Sequence, residues 1–199
     1  MSQSIVVAAA VVIAKPRLRA FLRAPVVPAS AWTEGEWIGV CEAWSDSGVR
    51  RRYREELAGA IDECDGWLDG DYAGLLRGLD DEGSPAIAFD EVTGSLVVDF
   101  EARVDFELPS LIWAFSVLRG MESFLDEGDG GLVTVTVDWS GDSALMLLAS
   151  NRSSFLDRTG DAVSRARARN AEFDVRCAVS DGEGDGASVA ETVDRLLRS

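Results

Sequence analysis

Residues 96–108 read LVVDFEARVDFEL, and the architecture follows from how that stretch alternates. Leu96, Val98, Phe100, Ala102, Val104, Phe106 and Leu108 share one parity. Val97, Asp99, Glu101, Arg103, Asp105 and Glu107 share the other, and most of them are charged. Successive side chains of a β-strand point to opposite faces, so the spacing predicts one long strand with an apolar face and a wet face. Pro109 has no amide hydrogen to donate and ends the ladder. Residues 110–125 then repeat at helical spacing, with Leu111, Ala114, Phe115, Leu118, Met121 and Leu125 on one side. A helix this apolar is expected to lie across the apolar face of the sheet.

Working outward, residues 85–90 pair with the long strand through the turn Glu91-Val92-Thr93-Gly94, where glycine supplies the permissive backbone position. Residues 132–139 alternate Val133, Val135, Val137 and Trp139 against Thr134, Thr136 and Asp138, and residues 144–149 form their hairpin partner across Ser140-Gly141-Asp142-Ser143. Residues 5–13 are almost continuously apolar and read as a buried strand. The run is too short to span a bilayer, and the basic residues Lys15, Arg17, Arg19 and Arg23 follow it, the reverse of the order in a signal peptide, which is the alternative. Residues 36–43 read as another strand. Asp46 or Ser47 caps a helix toward Trp67 whose buried stripe is Val49, Tyr53, Leu57, Ala60, Ile61, Cys64 and Leu68. Its arginines pair as Arg51 with Glu55 and Arg52 with Glu56 on a solvated face. Residues 71–79 form a short helix, residues 159–170 a weaker one, and residues 171–179 alternate like a strand. Ser188 and Glu191 make a capping box for a terminal helix.

The expected class is therefore α+β. A single domain spans residues 1–199, with a largely antiparallel sheet of about six strands and helices packed on one face; a crossover through residues 110–125 would make the sheet mixed.

Charge and composition bound the function. The 199 residues carry a net charge of -16, which disfavours nucleic acid and anionic membranes as partners and favours basic ones. There is no histidine, which removes Ser-His-Asp and Cys-His catalysis, HExxH zinc sites and the 2-His-1-carboxylate iron site. Cys41, Cys64 and Cys177 are three, widely spaced, and expected to be reduced, buried thiols of a cytoplasmic protein. No phosphate-binding loop, dinucleotide fingerprint or nucleophile elbow occurs, and neither cofactor nor metal is expected. Residues 181–186, DGEGDG, match only the start of an EF-hand loop, because Thr192 stands where the bidentate glutamate belongs.

The wet face supplies the candidate site: Asp99, Glu101, Asp105, Glu107 and Asp138. Read together, these residues make an acidic surface that docks a basic protein partner, in the manner of an immunity-type inhibitor of a toxin, without catalysis. The alternative is a carboxylate-based hydrolase or a divalent-metal-dependent enzyme built on the same side chains.

Overall fold

The computed structural model describes residues 3–81, 83–104, 107–160, 162–180 and 187–198. In chain order the strands are β1 (Gln3–Val12), β2 (Gly83–Asp90), β3 (Ser95–Val104), β4 (Gly130–Val137), β5 (Ser143–Ala149) and β6 (Arg152–Phe155). The helices are α1 (Lys15–Arg23), α2 (Glu34–Glu42), α3 (Ser47–Asp65), α4 (Tyr72–Arg77), α5 (Glu107–Arg119), α6 (Ala162–Ser180) and α7 (Val189–Arg198). The six strands form one antiparallel sheet in the order β2-β3-β1-β4-β5-β6. The α+β class and the antiparallel sheet are as the sequence predicts.

The apolar strand β1 occupies the centre, paired with β3 on one edge and β4 on the other. Register sorts the side chains into two faces. Ile5, Val7, Ala9 and Val11 join Leu96, Val98 and Phe100 of β3 and Val133, Val135 and Val137 of β4 in the main core, which also holds the buried stripes of α2, α3 and α5. The β2–β3 turn closes as expected, with Gly94 at φ +67° and the Asp90 carboxylate accepting from the Val92 amide at 2.8 Å.

The opposite face is not simply wet. Helix α6 crosses it over β2, β3, β1 and β4. Val175 packs on Ala10 and Val97, and Ala168 on Leu132 and Leu145, making two small apolar clusters beneath the helix. Residues 171–179 are therefore the second half of α6 and not a strand. Ala168, Glu172, Val175 and Val179 recur at three- and four-residue spacing, whereas Phe173 and Cys177, which carried the apparent alternation, are exposed.

Three other local readings are corrected. Residues 36–42 belong to α2 and Ala43 is its C-cap; the start of the helix is a capping box, in which the Glu36 amide donates to Thr33 Oγ1 at 3.3 Å and the Thr33 amide to Glu36 Oε2 at 2.8 Å. Strand β3 ends at Val104. Asp105 and Phe106 lie outside the described residues, and Glu107 and Leu108 already belong to α5, with Pro109 in its first turn, where a missing N–H leaves no helical bond unmade. The short edge strand β6 was not anticipated, because RSSF has no period to read.

One charge is sealed inside. Arg119, at the end of α5, is fully buried, with its guanidinium carbon 4.3 Å from the centre of the Trp37 ring and 4.8 Å from that of Trp32. Its Nε donates to Ser153 Oγ at 2.8 Å and one Nη to the Glu36 carbonyl at 3.4 Å. Burial pulls this guanidinium down to about 10, against the opposing pull of Glu122 and Glu36. Arg119 thereby joins α5, α2 and β6 through π faces and hydrogen bonds. The contact is tight: a Cβ added at Gly39 would stand 2.1 Å from the Phe155 Cβ.

Two predictions follow from this packing. Gly39→Ala is expected to destabilise the fold by about 1–3 kcal/mol through overpacking against Phe155. Gly59→Ala, at a helical position where an added Cβ meets nothing within 4 Å, is expected to stabilise it by about 0.5–1 kcal/mol. Urea unfolding of both variants checks the contrast, and equal effects would contradict it. Burial pushes the Cys41 and Cys64 thiols up to about 12, while Cys177 is exposed. A thiol reagent at pH 8 is therefore expected to label Cys177 alone in the native protein and all three cysteines after unfolding, which peptide mapping would show.

Candidate functional site

Helix α3 begins where the Asp46 carboxylate accepts the amides of Gly48 at 2.6 Å and Val49 at 3.1 Å. Its stripe of Tyr53, Leu57, Ala60, Ile61 and Cys64 is buried, as predicted. The two helices meet at two levels: the Tyr53 hydroxyl donates to Glu107 Oε2 at 2.9 Å, and Cys64 lies beside Ser116, whose own hydroxyl donates to the Ile112 carbonyl at 2.8 Å. Both pairs ascend together, so the two helices run side by side in the same sense.

Their outer seam opens into a groove of about 580 Å³ lined by Arg52, Glu55, Glu56, Gly59 and Glu63 of α3 and by Glu107 and Pro109 of α5. The α3 residues fall three or four apart and so occupy one flank of the helix, beside its buried stripe. Gly59 in the middle keeps the floor open. Four carboxylates face this space and one cation, Arg52, which is ion-paired with Glu107. Burial pulls the Arg52 guanidinium down, but the Glu107 carboxylate, Tyr53 and Glu56 outweigh it and raise it. The Tyr53 phenol is raised as well, first by burial and then by the Glu107 carboxylate that it bonds. With four carboxylates against one paired cation, the groove presents a concave acidic surface suited to a cation.

The five residues marked out in the sequence are not brought together. Asp99 lies under α6 in a two-pronged pair with Arg176, both bonds at 2.8 Å, and Arg176 also bonds Glu172 at 3.2 Å. These carboxylates, Asp99 first, raise the Arg176 guanidinium against its burial. Glu101 is exposed on the part of the sheet that α6 leaves open, next to Val6, which is 46% exposed. Asp138 sits at the end of that same face and accepts from Ser4 Oγ at 3.2 Å. Asp105 lies outside the described residues. Only Glu107 lines the groove, on the far side of the main core from the others.

Glu55, Glu56 and Glu63 were missed as site residues because helical spacing reads them as a solvated face. Arg52, expected to pair with Glu56, reaches Glu107 instead, and the neighbouring Arg54 pairs with Glu42, with its second bond at 2.6 Å. The available signal was Gly59, a helix-weakening residue set among the three glutamates of α3.

Among the described residues no group of three or more histidine, cysteine or carboxylate side chains is placed to hold a metal ion, and no helix is long and apolar enough to cross a membrane. No family model, curated protein or solved structure matches the chain.

Tyr53→Phe removes the hydroxyl that bonds Glu107 and keeps the buried ring. It is expected to cost about 0.5–1.5 kcal/mol in urea unfolding, and a cost near zero would show that Tyr53 does not hold Glu107 in solution.

Proposed function

We propose that the protein is a non-catalytic acidic binding protein that docks a basic protein partner in the α3–α5 groove, as an immunity-type inhibitor covers the cationic active site of a toxin. The observation that carries this reading is the groove itself: four glutamates around an open glycine floor, with their one arginine already paired to Glu107. A chain with net charge -16 attracts a cationic protein at long range, and a concave acidic seat gives that attraction a destination. The same field repels nucleic acid. The three cysteines stand unpaired, in keeping with work in the reducing cytoplasm.

Gly59→Arg tests the seat, because an added Cβ at this position meets nothing within 4 Å and the longer side chain places a cation among the glutamates. A basic protein captured from the native cells on the immobilised chain is expected to be released as salt rises from about 0.1 M to 1 M, where the screening length falls from about 10 Å to 3 Å. Gly59→Arg is expected to weaken its binding by about tenfold or more, whereas Glu101→Gln and Asp138→Asn leave it unchanged. Binding that ignores salt, or that survives Gly59→Arg, overturns the proposal.

A further inference from the structure

A second concavity, of about 360 Å³, lies among Trp67, Asp69, Leu75, Gly78, Leu79 and Trp113. Its relation to the acidic groove follows from helical spacing. Glu63 lines the first concavity and Trp67, four residues on, the second; Pro109 lines the first and Trp113, four residues on, the second. The Trp67 amide donates to the Cys64 carbonyl at 2.9 Å, so the chain is still turning there. One turn advances about 5.4 Å, which makes the two concavities consecutive along one seam.

The lining points to a class of ligand. Trp113 and Glu107 are the two residues of α5 that are not buried, and Trp67 is 38% exposed. Trp113 is held edge-on to Phe100, with ring centres 5.9 Å apart. Asp69 stands at the rim with one carboxylate oxygen accepting the Gly70 amide at 2.7 Å. Two indoles, two leucines and a carboxylate suit a long cationic side chain, whose apolar stem lies on the leucines while its head meets the ring faces and the acid. A planar guanidinium stacks on indole better than an ammonium does. Charge selects the occupant, because the neighbouring groove and the whole chain are acidic and both draw the same cationic partner.

We infer that this indole-walled concavity is a second seat, for an arginine or lysine side chain of the basic partner, one helical turn from the acidic groove. The inference rests on the acidic groove being the docking site and adds that the partner presents two cationic side chains in line.

The test uses the full chain and two small probes, N-acetylarginine amide and its neutral isostere N-acetylcitrulline amide. Binding is followed by NMR through the indole N–H signals of Trp67 and Trp113, assigned with Trp67→Phe and Trp113→Phe, and through the backbone amides of Glu56 and Glu63. The arginine probe is expected to shift both indoles, and the citrulline probe to bind about tenfold more weakly. Gly78→Leu is expected to abolish the indole response. Gly78 has a helical backbone at φ -61°, and an added Cβ there meets nothing within 4 Å, so the side chain fills the concavity without disturbing the fold. Equal binding of the two probes, or indole shifts that persist in Gly78→Leu, overturns the second seat. Shifts at Glu56 and Glu63 without shifts at the indoles overturn it too, while leaving the acidic groove standing. Indole shifts alone overturn the acidic groove and with it the two-seat arrangement, and silence at both positions overturns both readings.

Discussion

The structure depends on covering β1 from both sides. Its residues are apolar at nearly every position, so both faces gain from cover, and its backbone needs partners on both edges. Pairing with β3 and β4 satisfies the edges and forces two non-adjacent parts of the sequence into one sheet. The first face receives α2, α3 and α5, and their packing presses α3 against α5 to create the acidic seam. The second face receives α6, which reaches Ala10 but leaves Val6 open. Beyond the cover, the lateral neighbours of Val6 and Ser4 on β3 turn to Glu101 and Arg103, which water can solvate. The polarity of β3 thus tracks the extent of α6.

Arg119 shows how far the first layer is locked. An ionised group in an apolar interior costs several kcal/mol unless it is compensated. Here indole faces and two hydrogen bonds supply that compensation, drawn from α2, the segment at Trp32 and β6. Loss of any one of these segments would expose the others to an unpaired charge. The short strand β6, weak in β-propensity, is held in the sheet by this contact and by Phe155 over Gly39.

Legibility in the sequence followed the number of residues that a feature requires. Strand β3 and the stripe of α3 each rest on a local period and were readable. Residues 107 and 108 misled because the period of two continues into helix α5, and Pro109 reads equally as a strand terminator and as a first-turn helical residue. Residues 171–179 satisfy both periods at once, and the choice is made by Ala10 and Val97, which need a cover that no nearby residue announces. The acidity of the wet face was legible, but its neutralisation was not: Asp99 meets an arginine 77 positions away. The groove depends on the apposition of α3 and α5, which no spacing within either helix reveals.

The distribution of ion pairs explains why the surplus of acid matters where it does. Lys15 pairs with Glu91, Arg17 with Asp126, Arg54 with Glu42, Arg77 with Asp194 and Arg176 with Asp99. Such exposed or half-exposed pairs add little stability each, but each cancels one negative charge locally. Along α3, three glutamates of the remaining acid line a concavity. A convex acidic surface spreads its field into water, whereas low-dielectric walls on two sides concentrate it. On the reading proposed above, the α3–α5 seam offers an approaching cation both a surplus of carboxylates and a shape able to hold it.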